Sequence, residues 1–244
     1  MEVSDSASIG VIARAARILR TLGESSSGMS LGQIARQSGL ARSTVQRLVA
    51  ALDAEQLVVS SGAAGRIVLG PAVLRLGTSM RADTPARLRA QIRTLSAELG
   101  ETVDLSVVRN DRVVFVDQVQ GAARLLAVSH VGASFPLYCC ASGKAYLAGL
   151  ADRDVEELIG RAYQQRTPST RSTLEALLQD LHRIRESGLA IDEEEHTEGI
   201  SAIGIGIGDD GGGWFGVSVQ VPSQRFAAKR EQIIEAIRAF SDRF

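Results

Sequence analysis

The 244 residues could form one large domain or two modest ones, and 45% apolar with 23% charged residues is the composition of a chain with a sizeable buried core. No run approaches the roughly 20 apolar residues that span a bilayer, and the polar start Met1–Ser8 lacks a basic stretch followed by an apolar one, so neither a membrane helix nor a signal peptide is expected. The two cysteines, Cys139 and Cys140, are adjacent, a poor spacing for a disulfide or a zinc site and one that fits a reducing cytoplasm.

The net charge of −1 conceals an asymmetry. Residues 1–82 carry nine arginines against five acids (+4), and the remainder carries 18 bases against 23 acids (−5). Such a division hints at a nucleic-acid-binding module beside an acidic one.

In chain order, Val11–Leu22 has helical apolar spacing and ends at Gly23. Ser30 is placed to cap a helix over Leu31–Gln37, Gly39 breaks it, and Arg42–Leu52 forms the next. Val58–Val59 and Ile67–Leu69 read as a short hairpin, and Pro71–Met80 as a helix. A domain boundary is expected near residue 82, followed by a helix over Thr84–Leu99 with Asp83 before it. Val103–Arg109, Arg112–Val119 and Arg124–Ser129 read as strands. Ser142–Leu150, Asp152–Ile159 and Thr173–Ser187 read as helices. Ile203–Ile207 and Trp214–Val221 should pair across a flexible Asp-Gly turn, and Gln224–Phe240 closes the chain as an amphipathic helix. This mixture makes the second part an α+β domain.

The segment LGQIARQSGLARSTVQRLVAAL (31–52) has the requirements of a helix-turn-helix. Ala35 permits close helix contact, Gly39 serves the turn, and Ile34, Leu40, Val45 and Leu48 lock the angle. Ser43, Thr44, Gln46 and Arg47 then face away from that core, beside Arg42 at the helix start. These are groups able to touch base edges and phosphates. Arg66 in the hairpin could reach a phosphate or the minor groove, or be an ordinary surface arginine. A solvated αα-hairpin is the bland alternative.

The order of elements, the helix-turn-helix, the passage RIVLGPAVLRLG and three later motifs resemble the IclR family of bacterial transcriptional regulators. The later motifs are FPLYCCASGKAYLA (135–148), GLAIDEEEHTEGISAIGIGI (188–207) and WFGVSVQVPSQRF (214–226). The resemblance implies a winged helix-turn-helix over residues 1–70, a linker helix over 71–82 and a GAF-like effector-binding domain over 83–244. It also implies a homodimer or a dimer of dimers on double-stranded operator DNA. Half-sites would lie about one helical turn, or a multiple, apart. No cofactor or metal is implied. Whether such a protein represses or activates depends on where its operator lies relative to the promoter.

Taken alone, CCASGKA (139–145) is a small-residue entry to a helix whose N–H groups suit an anion. A phosphate loop would need Gly at 138 and Ser or Thr at 145, where Tyr138 and Ala145 stand. Asp192–Glu195 reads by default as a solvated acidic turn, and Glu195 with His196 lacks the further ligands of a metal site. The family resemblance instead assigns Leu126, Leu137, Ala141, Ser142, Asp192, Ala202, Ser218 and Gln220 to an effector pocket. Ala202 replaces a cysteine common there, Gln220 a serine, and Tyr138 a histidine. These departures weigh against a glyoxylate- or pyruvate-type ligand and toward a different or larger one. The small organic effector is expected to be an acid: a hydroxy-, oxo- or phenolic acid. Cys139 or Cys140 with His130 or His196 supplies the parts of a thiol acyl-transfer site, the enzymatic alternative; a module acting only through protein contacts is a third.

Overall fold

Ser30 and Gln33 show how local chemistry starts the second helix. The Ser30 hydroxyl accepts the Gln33 N–H, and the Gln33 side chain accepts the Ser30 N–H at 2.9 Å. This reciprocal capping box opens α2 (Leu31–Ser38), and Gly39, at φ 65°, closes it through its N–H to the Ala35 carbonyl. In the computed structural model the described residues are all except 1, 2, 26, 62–64, 82–85, 128, 162 and 209–212, with side chains also left aside at 3–9, 61, 78–81, 86 and 87. The chain falls into two units, Met1–Asp83 and Thr84–Phe244.

The first unit contains α1 (Val3–Gly23), α2, α3 (Arg42–Ala54), the hairpin β1 (Val58–Ser61) and β2 (Arg66–Leu69), and α4 (Pro71–Arg81). Its core joins Ile18 and Leu22 to Ile34, Val45, Val49 and Leu52, with Val58 and Ile67 from the hairpin. Met29 pairs with Ile67 through two backbone hydrogen bonds of 2.9 and 2.8 Å, so the loop before α2 adds a third strand-like edge to the wing. Gly70 precedes α4 because a Cβ there would lie 2.2 Å from the Gln56 carbonyl oxygen.

The second unit contains α5 (Ala86–Leu99), β3 (Thr102–Arg109), β4 (Arg112–Val119), β5 (Ser134–Pro136), α6 (Ala141–Ala148), α7 (Asp152–Ile159), α8 (Leu174–Ser187), β6 (Ala190–Glu193), β7 (Ile200–Gly208), β8 (Trp214–Pro222) and α9 (Ser223–Ser241). Its described strands form one antiparallel sheet in the order β5-β4-β3-β8-β7-β6. The described residues of the expected strand Arg124–Ser129, all but 128, pair with no strand, and the edge pairing falls to the short β5 instead. The expected acidic turn also proves to begin as strand β6. The Asp-Gly turn at 209–212 and the helix start at Asp83–Thr84 lie outside the described residues; the flanking strands pair as far as Gly208 and Trp214.

Strand alternation divides the two faces. Val103, Leu105, Ile203, Ile205, Ile207, Val217, Val219 and Val221 pack with α5 and α9. The alternate positions carry Thr102, Asp104 and Ser106 on β3, Ala202, Gly204 and Gly206 on β7, and Gly216, Ser218 and Gln220 on β8. Most of these small and polar residues are withdrawn from solvent, although Gly206 is exposed and Gln220 half-buried. Asp104 and Ser106 are fully buried, as are Ser218 and Ala202 within a percent, and α6 packs against β7 and β8 on this face. Glycine makes that approach possible: a Cβ on Gly216 would stand 2.6 Å from the Ser106 Oγ and 2.7 Å from the Ser142 Cβ. Gly216→Ala should therefore destabilise the second unit by about 1–3 kcal/mol through overpacking, read as a lower urea midpoint at unchanged slope.

Candidate functional site

In the first unit the residues expected to meet DNA occupy one surface of α3. Arg42, Ser43, Gln46 and Arg47 are exposed and Thr44 is half-buried, while Val45 and Val49 turn inward. Ala41 caps α3 without a side-chain hydrogen bond, so the first turn keeps backbone N–H groups for a phosphate. Arg66 is half-buried at the start of β2 and donates through Nε to the Gly28 carbonyl at 3.2 Å. Beyond it the wing tip, 62–64, lies outside the described residues.

In the second unit a cavity of about 170 Å³ opens on the polar face of the sheet, lined by Ala127, Ser129, Phe135, Asp192, His196, Thr197, Ile200 and Gln220. Register explains the convergence: Asp192 on β6, Ala202 on β7 and Gln220 on β8 lie in one cross-strand row. The next row holds Gly204, Ser218, Asp104 and Gln118. Of the eight residues assigned to the pocket from the sequence, Asp192 and Gln220 line this cavity, and Ala202 stands between them. Ser218 accepts from Gln220 Nε2 at 3.0 Å and from the Ser142 hydroxyl at 3.1 Å. Ala141 and Ser142, each 2% exposed, are packed against the sheet, so the start of α6 is closed rather than open to a ligand. Leu137 is buried in the apolar cluster with Leu147 and Leu181. Leu126 is half-buried beside Ala127, outside the lining.

One carboxylate, Asp192, lines the cavity, Asp104 lies behind Ser129 and Gln220, and neither lysine nor arginine lines it. Burial, reinforced by the nearby Glu195 carboxylate, pushes Asp192 up to about 7, although its Oδ1 accepts the Glu195 N–H at 2.7 Å. Burial likewise raises Asp104 to about 6 against hydrogen bonds from Ser129 and Gln118. His196 stacks on Phe135 with ring centroids 3.5 Å apart, and burial, then Arg166 and Arg112, lowers it to about 4, leaving a neutral imidazole.

With this geometry in view, the bacterial transcriptional regulator IclR C-terminal family matches residues 79–244, and the IclR helix-turn-helix domain matches residues 11–62. This chain belongs to the IclR family. An IclR-type relative, the HTH-type transcriptional regulator Rv1719 of Mycobacterium tuberculosis, is 43% identical over 96% of this chain and 91% of its own length. The crystal structure of the Thermotoga maritima IclR covers 96% of both chains with a TM-score of 0.77 at 25% identity. An IclR homolog from Microbacterium hydrocarbonoxydans, solved with 4-hydroxybenzoate, covers 94% of this chain and 95% of its own with a TM-score of 0.73 at 21% identity, a likeness of fold. The chain is thus an IclR-type, ligand-responsive transcriptional regulator.

Both thiols are buried and far from activation. Burial pushes Cys139 up to about 12 and Cys140 well above its ordinary value, so neither supplies a thiolate near neutral pH. The Cys140 thiol faces the Pro136 carbonyl at 3.3 Å, and His196 is engaged with Phe135 and Thr197. Among the described residues no group of three or more His, Cys, Asp or Glu is placed to hold a metal, and no helix is long and apolar enough to cross a membrane.

Sequence reasoning missed Lys144, beyond rejecting it as a phosphate-loop lysine. Its fully buried Nζ bonds Asp180 Oδ2 of α8 at 2.6 Å, Glu195 Oε1 at 2.5 Å and the Ile191 carbonyl at 2.5 Å. Burial alone would lower its pKa; Glu195 and then Asp180 overcome that and raise it, so the lysine stays charged. Thr167 and Thr170 complete the clamp by donating to the Glu194 and Glu195 carbonyls, each at 2.6 Å. The signal available in sequence was the single lysine in an otherwise uncharged helix, four consecutive acids downstream, and nothing stating that they meet. Lys144→Met should destabilise the second unit by about 3–5 kcal/mol, because it strands buried carboxylates. Adding Glu195→Gln should recover part of that loss, measured by denaturant unfolding of both variants.

Proposed function

We propose that this protein binds a palindromic operator as a homodimer or dimer of dimers, and that a small hydroxy-, oxo- or phenolic acid held in the 170 Å³ cavity alters its affinity for that operator. The observation that carries the ligand half is the convergence of Asp192 and Gln220 on a cavity lined by neither lysine nor arginine. For the DNA half it is the exposed row Arg42, Ser43, Gln46 and Arg47 on α3. The exposed Leu74 and Leu76 of α4, with Val11 and Ile12 of α1, are apolar surface of the kind that self-association covers. Residues 71–82 would serve as the linker helix and 83–244 as a GAF-like effector domain. The cytoplasm is where such a protein meets its operator.

An acid beside Asp192 is tolerable when Asp192 is protonated, for the neutral carboxyl then donates a hydrogen bond instead of repelling the ligand. Thr197 and neutral His196 complete a polar mouth. The cavity is smaller than the 300–1,000 Å³ usual for drug-sized ligands, and so favours a compact acid. The Microbacterium homolog's 4-hydroxybenzoate belongs to the same chemical class; the class proposed here rests on the charges around the cavity. Coupling between the two sites is reciprocal, so operator DNA must change effector affinity by the factor by which effector changes operator affinity.

Arg47→Ala should weaken operator binding by about 1–3 kcal/mol if the side chain reads a base, or flatten the salt dependence if it touches phosphate. Fluorescence anisotropy across a salt series distinguishes the two, and unchanged binding removes Arg47 from the interface. Effector affinity should fall as pH rises through about 7, where Asp192 ionises and repels the ligand acid. Asp192→Asn should abolish that pH dependence in calorimetry while leaving operator binding by the free protein intact.

A further inference from the structure

The buried carboxylate of Asp104 belongs to none of the roles assigned so far. It is fully buried on β3, faces the same side of the sheet as Ser218 and Gln220, and has no cationic partner among its described hydrogen bonds. Its Oδ1 accepts Gln118 Nε2 at 2.8 Å, and its Oδ2 accepts the Ser129 hydroxyl in a short hydrogen bond. Gln118 Nε2 also donates to the Ser129 carbonyl at 2.6 Å and to the Ser129 Oγ at 2.9 Å.

Donor and acceptor accounting decides what this arrangement offers a ligand. A serine hydroxyl has one proton, and that of Ser129 is spent on Asp104; one of its two oxygen lone pairs accepts Gln118 Nε2, so a single acceptor site remains for the cavity that Ser129 lines. Gln220 has two amide protons. One goes to the Ser218 Oγ at 3.0 Å, and the amide also faces the Asp104 carboxylate, which leaves the carbonyl oxygen for the cavity. Both polar groups of this wall therefore present acceptors. A ligand carboxylate or ketone placed there would meet lone pairs; a ligand hydroxyl would find partners on the Ser129 and Gln220 oxygens.

We infer that Asp104 is a positioning residue that polarises the inner wall of the cavity, making the site select an effector with a hydrogen-bond donor, a hydroxyl group, against the Ser129 and Gln220 oxygens. This rests on the effector-site reading above and narrows it from acids in general to hydroxy- or phenolic acids, with the hydroxyl at the Asp104 wall. Oxo-acids without a hydroxyl are excluded as best ligands.

The test uses the full-length protein and matched pairs of probes: 4-hydroxybenzoate with 4-methoxybenzoate, and lactate with 2-methoxypropionate. Methylation removes the donor while keeping an oxygen in place. Calorimetry should show at least one hydroxyl member binding tenfold or more tightly than its ether. Asp104→Asn supplies its own N–H donors to the Ser129 oxygen, frees the Ser129 proton for the cavity, and should bring that ratio to about one. Ser129→Ala, at a half-buried loop position, should also reduce the ratio and guards against misfolding of the buried variant. Equal binding of hydroxyl and ether in the parent protein, an unaltered ratio in both variants, or no binding by either hydroxyl compound overturns the inference. The broader reading fails separately: operator anisotropy measured with pyruvate, benzoate and both pairs would show no response to any of them. A response with no hydroxyl preference sinks the Asp104 assignment alone.

Discussion

A charged lysine held out of water on one helix organises the second unit. Lys144 cannot leave its site without stranding Glu195, which is 2% exposed, and an unpaired buried charge costs about 3–5 kcal/mol, as much as truncating a large core side chain. Three elements are joined at its Nζ: α6 that carries it, α8 through Asp180, and the acidic turn through Glu195 and the Ile191 carbonyl. Because the turn is tied down, Asp192, His196 and Thr197 converge at one cavity. Because α6 is tied down, the small-residue face of the sheet is roofed.

Burial on this side of the sheet changes the electrostatics of its carboxylates. Asp104 and Asp192 would be ordinary solvated carboxylates on an open sheet face; covered, both are pushed upward, to about 6 and about 7, by loss of hydration. Acid groups pushed toward neutrality, beside a small cavity lined by neither lysine nor arginine, are what the proposed hydroxy-acid effector would meet. A cavity built to hold strong anions would present arginine or lysine. Here the internal lysine is consumed by structure, and the arginines nearest His196, Arg112 and Arg166, lie outside the lining.

The DNA-reading unit rests on simpler physics. Its helix angle is set by apolar contacts between α1, α2 and α3 and by a left-handed glycine at position 39. Its wing is held by backbone pairing with Met29. Side chains exposed on α3 carry little of the unit's stability, so they can vary to meet an operator while the frame stays constant. In the sensing unit the polar residues at the site also help hold its parts together, and substitution there changes stability and specificity at once.

What the sequence determined by itself was everything written in local chemistry. Ser30 with Gln33 marks a helix start, Gly39 a turn, and helical periodicity α3, since capping, backbone conformation and amphipathic spacing act within a few residues. Family motifs brought Asp192, Ala202, Ser218 and Gln220 together, and register places Asp192, Ala202 and Gln220 in one row beside Ser218. The tertiary structure alone decided which sheet face meets solvent. Alternation of valine and isoleucine with serine, glycine and aspartate reads as a sheet with one wet side, and nothing within β3 tells Asp104 from an exposed aspartate. It is the fold that buries it, against Gln118 of β4, Gln220 of β8 and Ser129 of the loop after β4. Long-range pairing of a lysine with acids 36 and 51 residues away leaves no periodic trace in a sequence, because it depends on where the chain returns.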